Sequence, residues 1–422
     1  MNLYLFNAND SAAMYGIGAY LNELTSALEG NNINIHIVHL HSIRPEFEIV
    51  KTNHVEHWHI PEVRNQNTFS GSIQKLEDYY RNVIYLLRIH IKDTTDLVFH
   101  FNYNQSRLLA KELKAAFDCK TVYTVHFLKW MLELHGNLDR FKALKAKPAD
   151  QRTPFEQLLL TTDEYESMLF REVDRVIALS QYTQNLLCSE YGLEPDRVLV
   201  IPNGLRTVDN AETDNNLSLR EKWRISEKEL LILFVGRLHP VKGLHFLIRA
   251  FRKVLESLPY CRLMIAGSGN FEPYLHAAQN ICTKVTFTGL LGKNELYELY
   301  QIADIGVMPS FHEQCSYVAI EMMMHGLSVI GSTTTGLKEM IADSETGLHI
   351  PVVEYGDRVE IDINLLAEKM LYLLQHPKER RRLGQNARKR YEAVYSAEVF
   401  RRNMTEFYSH LCRQEAKHPQ SR

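Results

Sequence analysis

In the string FHEQCSYVAIEMMMHG, two carboxylates, Glu313 and Glu321, stand with seven residues between them. The spacing predicts a helix opening near Ser316. At about 3.6 residues per turn Glu321 lies a turn and a half inside that helix, and Glu313 stays in the loop before it. Two carboxylates then flank one helix N-terminus. Such a terminus offers unpaired N–H groups and a partial positive charge that suit a phosphate, while carboxylates suit sugar hydroxyls. A nucleotide-sugar needs both. Taken alone, the pair could equally be two solvated carboxylates on a helix, so the argument depends on what else the chain places nearby.

LILFVGRLHPVKGLHFLIRAF reads as a buried strand from Leu231 to Val235, a turn at Gly236 and a helix after Gly243, with Arg237 and Lys242 in the turn. Both cations fall at the C-terminal edge of a parallel sheet, where open α/β folds bind ligands at a topological switch point. CRLMIAGSG is a second strand ending in Gly267 and Gly269, and VTFTGLL a third with Gly289 and Leu290 at its turn. Glycines at strand ends allow a flat base to approach the backbone, although each is also an ordinary turn residue.

The first half supplies a complementary set. NLYLFNAN is a strand, and its following loop leads to Gly16, Gly18 and the helical stretch AYLNELTSAL. The pattern fails as a dinucleotide fingerprint: Leu21 stands at the third glycine, and INIHIVHLH ends in histidines rather than a ribose-binding acid. A nicotinamide dehydrogenase is rejected on that ground. KTVYTVHFLKW is a strand with His126 at its C-terminal end, the one of the 19 histidines best placed to face a ligand. RVIALSQYTQNLL and RVLVIPNGL add two strands ending at Ser180 and Asn203-Gly204.

In this order, these motifs resemble the group 1 glycosyltransferases of the retaining GT-B type (family four), a class working on bacterial cell-surface glycans. The resemblance spans nearly the whole chain and is densest from Gly236 to Gly347. It implies two Rossmann-like, doubly wound parallel-sheet domains facing a central cleft. It implies that Glu313 contacts the transferred sugar and Glu321 the ribose, while Arg237 and Lys242 stabilise the leaving diphosphate. Gly16 and Gly18 would face the diphosphate, and His126 would contact the donor sugar as an uncharged hydrogen-bonding group. Gly267, Gly269, Leu290, Cys315, Ser316, Tyr317 and Val318 complete the implied donor site. The reaction would pass a sugar from a nucleoside-diphosphate donor to a glycan, lipid-linked or protein-linked acceptor hydroxyl with retention, with no protein nucleophile.

Two departures stand out. Where the family has Gly-Phe-Gly after the first Glu, this chain has Gln314-Cys315-Ser316, and TTTGLKEMI replaces Gly-Gly-x-Pro-Glu although Glu339 occupies the place of its Glu. Those changes keep two other readings open, a nucleotide-sugar 2-epimerase and a non-catalytic sugar-nucleotide-binding subunit.

Length and composition fit this organisation. At 422 residues the chain exceeds one ordinary domain, and 45% hydrophobic with 23% charged residues is a globular composition. A net charge of -3 without a Lys/Arg block excludes a nucleic-acid footprint. The predicted divisions are 1–210 for an acceptor domain, 211–395 for a donor domain and 396–422 for a helix crossing back, with TVDNAETDNN as linker. No apolar run reaches the ~18 residues of a membrane span, and Met1 leads straight into a strand, so no signal peptide is expected. Six scattered cysteines (Cys119, Cys188, Cys261, Cys282, Cys315, Cys412) point to a reduced, cytoplasmic protein. With no Asp-x-Asp or H-E-x-x-H, and two cations to carry charge, neither metal nor cofactor is expected. The stretch from Lys129 to Arg152 carries six Lys or Arg against three Asp or Glu. Its mixture with Phe127, Trp130, Met131 and Phe141 suggests an acceptor lid or a peripheral contact with the inner membrane surface, or simply a helical excursion.

Overall fold

The computed structural model describes residues 1–7, 16–62, 72–104, 106–207, 216–356 and 358–413. The loop before Gly16 and nearly all of the expected linker lie outside the described residues.

The chain forms two compact units. Unit one comprises residues 1–129, 149–204 and 397–422; unit two comprises 130–148 and 205–396. Unit one is built on β1 (Asn2–Asn7), β2 (Asn34–Ser42), β3 (Glu48–Thr52), β4 (Val55–Pro61), β5 (Leu97–Phe101), β6 (Lys120–Val125), β7 (Arg175–Ala178) and β8 (Val198–Val200). Their order is β3-β4-β2-β1-β5-β6-β7-β8, parallel except for the β3–β4 pair. β1 and β5 are buried along their whole length, as strands covered on both faces must be, and so read as continuous apolar runs.

Unit two holds β9 (Leu230–Val235), β10 (Cys261–Ala266), β11 (Val285–Gly289), β12 (Ile305–Met308), β13 (Val329–Ser332) and β14 (Gly347–Ile350), all parallel, in the order β11-β10-β9-β12-β13-β14. Counted within the unit this is 3-2-1-4-5-6, the doubly wound order whose switch point lies between its first and fourth strands. The Leu244–Ser257 helix turns Leu244, Leu247, Ile248, Phe251 and Val254 inward at helical spacing and seals one face of this sheet.

Two elements differ from the sequence expectation. After Pro351, where the sequence reads as turning helical through DINLLAEKMLYLLQ, the chain first forms a hairpin, β15 (Val352–Tyr355) with β16 (Arg358–Ile361), around Gly356 at φ +57°. Alternation over so few residues is a weak signal beside the long helical pattern that follows. The other is the segment 130–148, which packs as part of unit two although residues on both sides of it belong to unit one. Trp130, Met131 and Phe141 are fully buried there, with Trp130 stacked on Phe141 at 4.3 Å. Three of the four apolar side chains that suggested a membrane contact are thus core residues, and the fourth, Phe127, is half-buried.

The last helix, Ala397–Arg413, belongs to unit one and buries Phe400, Met404, Phe407, Tyr408 and Leu411. Phe400 packs on Tyr20 of the Gly16–Leu28 helix. Beneath it His100 bridges Tyr408 (Nδ1 to the hydroxyl, 2.6 Å) and Thr124 (Nε2 to Oγ1, 2.7 Å). Burial drives the His100 pKa down to about 3, so this link is made by a neutral imidazole.

Candidate active site

The turn after β9 and the loop after β12 face each other at the switch point of unit two because Gly243 has no side chain. Gly243 adopts φ +66°, and a Cβ there would stand 1.9 Å from the Pro309 carbonyl oxygen. The Phe311 N–H donates to the Val241 carbonyl at 2.7 Å across the same junction. Residues 71 positions apart thereby meet. The Lys242 ammonium lies 2.6 Å from Glu313 Oε1, and the Ser310 hydroxyl donates to that oxygen at 2.9 Å. With side-chain exposures of 18% and 10%, the pair is shielded from water yet open on one side.

The Glu313 backbone is held as firmly. Its N–H donates to Thr335 Oγ1 at 3.0 Å, and its carbonyl accepts from the Gly336 N–H at 2.9 Å. A Cβ at Gly336 would sit 1.7 Å from the Gln314 carbonyl, so a glycine here lets the Thr335–Met340 helix press against the loop. Gln314 is buried, and its amide donates to the Met131 sulfur at 3.9 Å. His135 stacks on Phe311 at 5.1 Å, and the adjacent Gly136, at φ +76°, would bring a Cβ to 3.1 Å from the Phe311 carbonyl. The 130–148 segment is thus a strap across the outside of the loop that carries Glu313. It touches that loop through Phe311 and Gln314.

Ser316 precedes the Tyr317–Met324 helix, as the spacing predicted, and Glu321 lies in its second turn. Cys315 and Ser316 are buried; Tyr317 and Val318 are half-buried on the first turn. The Ser316 N–H faces Met340 Sδ at 3.3 Å, and the amides just after it belong to the helix end that lacks intrahelical partners. Glu321 Oε2 accepts from the Tyr300 hydroxyl at 2.9 Å. Burial raises its pKa to about 7, the tyrosine bond opposing the shift, so this carboxyl changes charge near neutrality. His312, next to Glu313 in the chain, is buried with neither ring nitrogen bonded, and burial lowers its pKa to about 4.

Arg237 is exposed in the turn that carries Lys242. Gly267 and Gly269 stand at φ +148° and +144°, where a Cβ would collide with the Gly236 carbonyl (1.9 Å) and with Leu238 (2.7 Å to its carbonyl). Their absent side chains are required by the contact of two strand-end turns within the unit, a structural demand independent of any base. Leu290 is 62% exposed beyond Gly289.

In unit one, His126 directly follows β6. Asn102 accepts from its Nε2 at 3.1 Å through Oδ1, while the Asn102 amide nitrogen donates to the Phe6 and His100 carbonyls, both at 3.5 Å. That orientation puts the imidazole proton on Nε2 and leaves Nδ1 an acceptor. Burial lowers the His126 pKa to about 3, so the ring is neutral, as the sequence reading required. Gly16 and Gly18 open the Gly16–Leu28 helix; a Cβ at Gly16 would meet nothing within 4 Å.

Within unit two the structure gathers Lys242, Glu313, Cys315, Ser316 and Glu321 around one strand-to-helix loop. Sequence reasoning missed Ser310, Thr335, Gly336 and Tyr300, which hold the two glutamates. Small residues directly after a strand, as in MPS and STTTG, were the available signal; Tyr300 gave none, since its helix carries no motif. Among the described residues no cluster of His, Cys, Asp and Glu could hold a metal ion, and no helix is long and apolar enough to cross a membrane.

Residues 14–208 match the family described as Glycosyltransferase Family 4, and residues 215–390 match Glycosyl transferases group 1. Both halves are glycosyltransferase domains. An uncharacterised glycosyltransferase, MJ1607 of Methanocaldococcus jannaschii, is 35% identical over 185 residues, 42% of this chain and 46% of that protein. The chain spans about half the length of the curated relatives it matches. Among solved structures, sucrose-phosphate synthase from Thermosynechococcus elongatus superposes with a TM-score of 0.75 at 22% identity, over 97% of this chain and 99% of that one. HepE of Anabaena, determined in complex with UDP-glucose, gives 0.69 at 14% identity over 97% and 100%. These likenesses establish the GT-B fold.

Proposed function

We propose that this glycosyltransferase moves a sugar from a nucleoside-diphosphate sugar to an acceptor hydroxyl with retention at the anomeric carbon, in the assembly of cell-surface polysaccharide or glycoconjugate. The observation that carries the donor assignment is the Lys242–Glu313 contact of 2.6 Å at the switch point, with Glu321 in the helix that begins in the same loop. Binding of UDP-glucose by HepE supports a nucleotide-sugar donor and makes UDP-sugars the first to test.

In this reading Lys242 and Arg237 meet the diphosphate, where charge develops as the glycosidic bond to phosphate breaks, and the first amides of the Tyr317–Met324 helix add to them. Glu313, fixed by Ser310, Thr335 and Gly336, orients the sugar. Glu321 accepts from ribose hydroxyls. From unit one we assign Gly16 and Gly18 to the diphosphate and His126 to the sugar, its neutral ring serving as a hydrogen-bond partner and not as a proton carrier. We assign the donor chemistry to these residues without a metal ion, and the protein to the cytoplasm.

Proton NMR of the product formed from an α-linked donor tests the stereochemical part: an α-linked product is expected, and a β-linked one would overturn retention. Mass-unchanged isomerisation of the donor without any acceptor would mark an epimerase instead.

A further inference from the structure

A cavity of about 350 Å³ opens in unit two, lined by Asn216, Arg220, Asp304, Ser328, Arg380 and Arg381 among others. Asp304 directly precedes β12 and Ser328 directly precedes β13, so the cavity lies at the N-terminal edge of the sheet. Lys242 and Glu313 follow the C-terminal ends of β9 and β12, at the other edge. The two sites are therefore separated by the length of the strands.

The lining brings three guanidinium groups against one carboxylate. Arg380 Nη2 pairs with Asp304 Oδ1 at 2.7 Å, and the other Asp304 oxygen is taken by the Leu231 N–H at 2.8 Å. Arg220 is fixed through its terminal nitrogens on the carbonyls of Ile302, Ser226 and Glu229, neutral groups that leave its charge uncompensated, and its Nε is buried without a partner. Arg381 is exposed on the rim. Ser328 is 1% exposed, and its hydroxyl has no hydrogen-bond partner. A buried hydroxyl and a buried guanidinium N–H left unbonded are costly, and both belong to residues that line the cavity. Guanidinium forks match the oxygens of phosphate, and the volume falls within the range of small-molecule sites.

We propose that this cavity binds a phosphate-bearing small molecule at a site separate from the donor site, with Arg220 and Arg380 as fixed positive walls, Arg381 as the exposed cation at the rim and Ser328 as donor to a phosphate oxygen.

The test is isothermal titration of the full chain with inorganic phosphate, in the wild type and in Arg381→Glu, Ser328→Ala and Lys242→Ala, each checked for unchanged circular dichroism. Lys242→Ala removes a donor-site cation and leaves the cavity intact. Binding that persists in Lys242→Ala, weakens about tenfold or more in Arg381→Glu and falls severalfold in Ser328→Ala is the expected result. Binding lost in Lys242→Ala but unchanged in Arg381→Glu would mean that phosphate sees only the donor site and would overturn the proposal. So would no binding in the wild type, or equal affinity in all four proteins.

Discussion

At the residue scale, Glu313 is held from three directions while one carboxylate oxygen takes Lys242. Glu313→Gln keeps the shape and removes the charge. It should lower transfer by about 10²- to 10³-fold, the usual cost of losing a preorganised electrostatic group, with a melting curve close to wild type. Glu321 makes a prediction with a sign. Its pKa is raised to about 7, so the carboxyl is neutral below that pH and becomes a charged, stronger acceptor of ribose hydroxyls as pH rises through it. Donor affinity should tighten from pH 6 to pH 8, and the dependence should vanish in Glu321→Gln; a slope that survives the substitution would detach Glu321 from the ribose. The places of both glutamates, one before a helix and one inside it, were legible from their spacing read together with the neighbouring strand-and-turn motifs. Ser310, Thr335 and Tyr300 were not, because their roles come from side chains far apart in sequence meeting at the loop.

At the scale of elements, glycines separate packing from ligand contact. Gly336 lies against the Gln314 carbonyl, where an added Cβ would stand at 1.7 Å. Gly336→Ala must displace that loop, lowering stability by about 1–3 kcal/mol and reducing activity with it. Gly16 faces open space at the start of a helix. Gly16→Ala should leave stability unchanged or raise it by up to about 1 kcal/mol, since alanine favours the helix, while the donor KM rises if the diphosphate approaches there. Thermal melts and donor saturation curves on the two variants separate these outcomes; an unchanged KM in Gly16→Ala would remove that loop from the donor site. The strap was the element least legible in the sequence. Its aromatic and basic mixture reads as a surface patch, and only contact with Phe311 and Gln314 reveals it as packing.

At the scale of the whole molecule, strand and helix alternation together with the family resemblance was enough to predict two doubly wound sheets, because buried parallel strands read as apolar runs wherever they occur. Strand order and the hairpin after Pro351 depend on pairings between distant segments that no local pattern carries. Buried titratable groups give the fold a pH profile with two arms. His100, His126 and His312 have folded pKa values near 3 to 4, below the unfolded value of about 6.5, so the unfolded chain takes up protons first and stability falls as pH drops below that value. Glu166 and Glu321 are raised to about 7, so the native state holds their protons longer and stability falls as pH rises from about 4.5 towards 7. The arms oppose each other between pH 4.5 and 6.5, and only the histidine arm remains below that window. The urea midpoint should therefore drop steeply below pH 4.5, and His100→Asn should flatten that drop; a midpoint constant from pH 4.5 to 3 would contradict the assignment of neutral buried histidines.

The central claim is that unit two activates a nucleotide-sugar at the Lys242–Glu313 loop. It is tested most directly by incubating the purified chain with UDP-, GDP- and ADP-sugars in chelator and following nucleotide release, with Lys242→Ala and Glu321→Ala beside the wild type. Release from one donor, lost in both variants while they remain folded, is the predicted result. Release that persists in Lys242→Ala, or no turnover and no binding of any nucleotide by the wild type, would contradict it.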